Sequence, residues 1–201
     1  MPRRPPINPQ GYYHVGSRGC YGRTLFASEL QHERFLTMYA RIARKYAFDT
    51  PSWALVGNHH HLVIRLTQGG LSDGMRELHG GYSRWLHAIC GQTGQGHLFR
   101  HAFFARELKS EAQVLVACAY VDLNLIARAA DVADAAGQKW SGFRATIGLE
   151  HPRPFHTPSA LLELIDRRPA AAQRAYRDFV QAGLDLRRQG PSPNDGVRSR
   201  G

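Results

Sequence analysis

A chain of 201 residues is the size of one ordinary domain and is long enough to bury a real core. Its 26 Lys and Arg against 16 Asp and Glu leave a formal net charge of +10, which favours a polyanionic partner, nucleic acid ahead of a membrane surface. There is no long apolar run, no compact basic amphipathic helix and no apolar export segment after MPRRPPINPQ, so membrane and secretory classes are set aside; Cys20, Cys90 and Cys118 are widely spaced, lack a C-x-x-C pair and read as reduced cytosolic thiols.

After the proline-rich leader, residues 12–17 (YYHVGS) read as a first strand, followed by a basic, glycine-punctuated loop through Arg23. Ser28 and Gln31 have capping-box spacing, and Phe35, Tyr39, Ile42 and Tyr46 recur at helical intervals up to a break at Asp49-Thr50-Pro51. The arginines on the other face of this helix, Arg34, Arg41 and Arg44, read first as a solvated face.

Residues 53–66 (WALVGNHHHLVIRL) read as a strand. Alternation puts His60 with Leu62, Ile64 and Leu66 on a core face, and His59 with His61 on the other. Two imidazoles on one strand face suit a divalent cation, but H-x-H alone specifies neither the metal nor the chemistry.

Gly69-Gly70 turns the chain into a second helix with the stripe Leu71, Met75, Leu78, Tyr82, Trp85 and Ile89, whose aromatics read as core. GQTGQG lacks the phosphate-loop pattern. Residues 97–107 (HLFRHAFFARE) read as a strand with the basic residues Arg100, His101 and Arg106 among its phenylalanines, as suits either a nucleic-acid surface or an ordinary edge strand. Ser110 and Gln113 cap a third helix with the core stripe Val114, Cys118, Val121 and Leu125. Tyr120 and Asn124 lie one turn apart, about a quarter-turn off that stripe, so they face a different neighbour. Beyond Pro154 helix formers dominate residues 159–167 and 169–188.

The ordered segments YYHVGSRG, NHHHLV, GHLFRHAFFARE, AYVDLNLIARA and WSGFRATIG together resemble the single-tyrosine HUH transposases, most of all the REP-associated tyrosine transposases and related insertion-sequence transposases, over about residues 11–149. The resemblance implies an α+β fold: a ferredoxin-like antiparallel sheet with the histidines on a central strand, helices packed on one face, and a C-terminal helical extension. It also implies a catalytic domain over 1–150 and the extension over 151–189; the polar, basic composition of residues 190–201 reads as a disordered tail. His59 and His61 would be metal ligands, Tyr120 the nucleophile and Asn124 the third ligand.

The implied cofactor is Mg or Mn, with Zn possible in purified samples. The implied partner is single-stranded or hairpin DNA, met by a cytoplasmic, nucleoid-associated monomer or homodimer without a membrane. The implied reaction is strand cleavage and rejoining through a 5′-phosphotyrosine, and Arg18, Arg23, Arg65, Arg100 and Arg106 are the candidate phosphate contacts. The chain departs from the family pattern in His60 between the ligand histidines, in Gly57-Asn58 before them, and in Leu125-Ile126-Ala127-Arg128 after Asn124. Two rival readings are a DNA-binding protein without catalysis and a nuclease that uses a metal-bound water.

Overall fold

The computed structural model describes residues 7–90, 96–100, 103–124 and 137–189. β1 (Gly11–Arg18), β2 (Asp49–Val56), β3 (His59–Leu66) and β4 (Phe104–Leu108) form an antiparallel sheet in the order β2-β3-β1-β4. With α1 (Glu29–Lys45) and α2 (Leu71–Ile89) they make the ferredoxin-like succession, and β3 is central, hydrogen-bonded to β2 and β1. Among the described residues α3 (Glu111–Asn124) is followed by the short α4 (Phe143–Thr146) and α5 (Ser159–Leu162), then α6 (Pro169–Gln189).

Local chemistry sets the helix starts. The Ser28 side chain accepts from the Gln31 N–H while the Gln31 side chain reaches back to the cap, a complete capping box. The Gln113 N–H likewise donates to Ser110 Oγ. α1 ends at Lys45, and Ala47 with φ 50° turns the chain into β2. The expected break at Asp49-Thr50-Pro51 is thus the first stretch of β2, where the register with β3 shifts between Asp49 and Ser52; proline is tolerated at such an irregularity on an edge strand.

The two sides of the sheet carry two cores. On one side Tyr13, Val15, Leu55, Leu62 and Ile64 pack against α1 and α2. On the other, Ala54 and Val63 meet Val114, Cys118 and Val121 of α3, joined by Leu161 of α5 and Tyr176 and Val180 of α6. So α1 and α2 cover one face as expected, and the face opposite is also covered, by α3 and the C-terminal helices. Each such fully buried Leu or Val contributes about 1.5–3 kcal/mol, enough to make α6 integral to the packing of α3.

Several expected boundaries move. Residues 53–66 are a hairpin, not one strand: β2 and β3 meet at Gly57-Asn58, with Val56 opposite His59 and Ala54 opposite His61. The turn reverses parity, so Trp53 and Leu55 join the His60 side. The strand expected over 97–107 is ordered as β4 only from Phe104; Phe99 makes an isolated bridge to Gly19, and 101–102 lie outside the described residues. The helix expected over 159–167 stops at Leu162, and Ile89 of the α2 stripe is 48% exposed. Leu125 to Arg128 and the tail from 190 also lie outside the described residues. Among the described residues no helix is long and apolar enough to cross a membrane.

Candidate active site

Alternation along β3 separates the three histidines. His60 is fully buried, packs against Phe35 and shares a 2.9 Å hydrogen bond between its Nε2 and His79 Nε2. Burial, then His79, holds it neutral far below the usual histidine range, so this core-facing histidine is partnered rather than charged.

His59 and His61 face the other way, with ring centroids 5.1 Å apart. His59 Nδ1 is 2.8 Å from Asn58 Oδ1, an acceptor, so Nδ1 carries the proton and Nε2 keeps its lone pair. His61 Nδ1 is 3.0 Å from Nε2 of His14 on β1. Where His61 donates in that bond, its own Nε2 is likewise left with a lone pair. Burial lowers all three pKa values: His61 to about 3, with His14 as the next cause; His14 to about 4, with Arg106 next; and His59 by direction, with Arg18 next. Neutral rings with a fixed second nitrogen are what a divalent cation requires of histidine.

Gly16 lies opposite His61 in the ladder, and a Cβ there would sit 2.7 Å from the His60 carbonyl oxygen and 2.5 Å from the Phe104 ring. Only glycine lets β1, β3 and β4 close up beneath the imidazoles.

α3 brings Tyr120 onto this face. Its ring centroid is 5.8 Å from that of His61 and 5.6 Å from that of His14, and the residue is 42% exposed. One turn on, Asn124 Nδ2 donates to the Tyr120 carbonyl oxygen at 2.9 Å, which leaves Oδ1 as an oxygen donor. Between them Asp122 points inward, fully buried; its Oδ2 accepts from the Tyr176 hydroxyl at 2.6 Å and its Oδ1 from Ser52 Oγ at 2.9 Å. Burial raises its pKa to about 7, against the opposing pull of those two donors. From α6, Arg187 Nη1 donates to the Leu123 carbonyl oxygen at 3.2 Å, and its guanidinium carbon lies 5.7 Å from the Tyr120 ring centroid. His14, Asp122 and Arg187 were not singled out from the sequence. Their partners lie far along the chain, and no local spacing announces them.

The candidate phosphate contacts divide. Arg18 is exposed and pairs with His59 across the ladder, the Arg100 N–H donates to the Arg18 carbonyl, and Arg23 closes the adjoining loop, so these three gather at the His59 end of the sheet. Arg106 is exposed on β4 opposite His14. Arg65 is at the far end of β3, in a 2.5 Å ion pair with Asp49. Among the described residues no three His, Cys, Asp or Glu side chains gather for a metal, so an ion at His59 and His61 would draw further ligands from amide, water or phosphate oxygens.

The family described as "Transposase IS200 like" matches residues 8–124, from the start of the sheet to Asn124. A solved structure described as the REP-associated tyrosine transposase bound to a REP hairpin is similar over 78% of this chain and 91% of that one, with a TM-score of 0.61 at 13% identity. A candidate transposase from Deinococcus radiodurans R1 is similar over 58% of this chain and 92% of that one, with a TM-score of 0.42 at 15% identity. No curated protein matches the sequence. A ferredoxin-like sheet with this family match defines a transposase, an enzyme of DNA strand cleavage and transfer. The chain belongs to the IS200-like transposase family.

Proposed function

We propose that this transposase cuts and rejoins single-stranded or hairpin DNA with Tyr120 as nucleophile, through a 5′-phosphotyrosine. The observation that carries the reading is the approach of the Tyr120 ring to His61 and His14 on the face of the sheet that α3 covers. A tyrosine hydroxyl is a poor nucleophile on its own, so the reactivity of Tyr120 has to come from position and from stabilisation of charge on the phosphate. The Tyr120 oxygen forms a bond to phosphorus, the bond from phosphorus to the 3′-oxygen breaks, and the phenolic proton is lost as the 3′-oxygen gains one. One phosphodiester replaces another, so the step is reversible and needs no nucleotide cofactor.

His59 and His61 through Nε2, with Asn124 through Oδ1, would hold a divalent cation, Mg or Mn in the cell, with Zn able to occupy the site in purified protein. Bound there, the ion would supply Lewis-acid polarisation of the scissile phosphate. Arg18, Arg23, Arg100 and Arg106 would neutralise backbone phosphates beside this face, so binding should weaken steeply with salt. Arg65, tied to Asp49, is assigned to the far margin.

The test is covalent trapping. Protein is mixed with 3′-labelled single-stranded hairpin oligonucleotides, with Mn²⁺ or with chelator, and run on a denaturing gel. A metal-dependent shifted band, absent from Tyr120→Phe, is the expected result. Cut DNA without a shifted band would transfer the assignment to a water nucleophile. Salt-sensitive binding with no cutting would make the chain a DNA-binding protein without catalysis.

A further inference from the structure

The loop after β1 is held from several sides. The Gly19 N–H donates to the Asn58 carbonyl and the Cys20 N–H to the Leu98 carbonyl, each at 2.8 Å, and the Leu25 and Phe26 N–H groups both donate to the Gly57 carbonyl. It also closes on itself: the Arg23 N–H donates to the Cys20 carbonyl at 2.9 Å, and a Cβ on Gly19 would fall 2.0 Å from the Arg23 carbonyl oxygen. At the tip of this anchored loop Tyr21 has φ 52° and ψ 33°, the left-handed region that is uphill for a residue with a Cβ. The residue is fully exposed. A large aromatic held in water by a strained backbone serves neither the core nor the chain's local preference; that combination marks functional loops.

Basic residues flank the loop. Arg18 and Arg23 bracket the loop, and Arg100 is hydrogen-bonded through its backbone to Arg18. No Asp or Glu occurs in residues 17–28, 57–61 or 96–100, the three segments that meet here. The loop is tied through Gly19 to Asn58, the neighbour and hydrogen-bond partner of His59.

We infer that Tyr21 is a stacking platform for an unpaired nucleobase of the DNA strand, with the neighbouring guanidiniums on the flanking phosphates. This deepens the reading of the chain as an enzyme of single-stranded DNA and rests on it. Every base has a π-face, so the contact would grip a strand irrespective of sequence, while the arginines set its register. The exposed ring and the basic rim fit an unpaired strand better than a closed duplex, whose bases are stacked on one another.

The experiment compares wild type, Tyr21→Ala and Tyr21→Phe by fluorescence anisotropy. One probe is a short DNA hairpin with unpaired flanks, and the other is the same hairpin with blunt ends. Alanine keeps the Cβ, so the backbone demand at residue 21 is unchanged and the variant reports the ring alone. The expected result is a loss of about tenfold in affinity for the flanked hairpin in Tyr21→Ala, near-wild-type binding by Tyr21→Phe, and no difference on the blunt hairpin. Equal affinity of Tyr21→Ala and wild type for the flanked hairpin overturns the inference. So does an equal loss on both probes, or a Tyr21→Phe variant as weak as Tyr21→Ala. All three proteins retain Tyr120, His59 and His61. Tyr21-dependent binding with no covalent adduct would therefore overturn the reading of the catalytic face alone, and a wild-type adduct with unaltered Tyr21→Ala binding would overturn the stacking alone.

Discussion

His14 Nε2 lies 3.0 Å from His61 Nδ1 across the β1–β3 ladder, and both rings are held neutral by burial. One proton is shared in that bond, and its side decides which nitrogen of His61 is free. A metal on His61 Nε2 requires His61 to donate and His14 to accept, with the His14 proton on its own Nδ1. His14 is thereby a second-layer partner for the proposed ligand, as Asn58 is for His59.

Replacing His14 by leucine removes the acceptor without adding charge. Mn²⁺ affinity, measured calorimetrically without DNA, should fall by about tenfold or more. His14→Gln, which offers an amide oxygen, should recover part of the loss. Unchanged affinity in His14→Leu would mean that His61 does not bind metal through Nε2.

What was legible in the sequence was local. The division of His60 from His59 and His61 needs only alternation within one strand, and the nearness of Tyr120 to Asn124 needs only one helical turn. The hairpin at Gly57-Asn58 was hidden because β2 is buried on both faces, so its apolar run shows no alternation to mark a change of strand. His14 became part of the site through register, 47 residues from His61, and Asp122 through a hydrogen bond to Tyr176 54 residues away. Such pairings exist only once the sheet and its covering helices are assembled.

Arg187 reaches Tyr120 from the C-terminal helix, outside the residues that match the family. It also donates from Nη1 to the Leu123 carbonyl oxygen on α3. Arg187→Ala should slow adduct formation at saturating DNA by about fivefold, equivalent to ~1 kcal/mol of lost positioning. DNA affinity in a Tyr120→Phe background should change little. Arg177→Ala, an exposed arginine on the same helix, controls for the lost charge. A rate loss shared equally by the two variants would reduce Arg187 to general electrostatics.

Asp122 ties the same helix to the core, and its carboxyl is pushed up to about 7 by burial. A folded-state value above the unfolded one, near 3.9, means that the fold favours the protonated acid. That contribution is fully present below about pH 4 and is lost as pH rises through about 7. The buried histidines act in the opposite sense: His14 and His61, lowered by burial, stabilise above about 6.5 and cost stability on acidification. The two trends overlap in the wild type, so the difference from Asp122→Asn isolates the carboxyl. Asparagine can accept from Tyr176 and donate to Ser52 Oγ, but it does not titrate. Denaturant unfolding at pH 5 and pH 8 should therefore show the wild type losing on the order of 2 kcal/mol relative to Asp122→Asn as pH rises. A difference that stays constant between those pH values would mean that Asp122 keeps one charge state throughout, with Tyr176 and Ser52 compensating fully for burial.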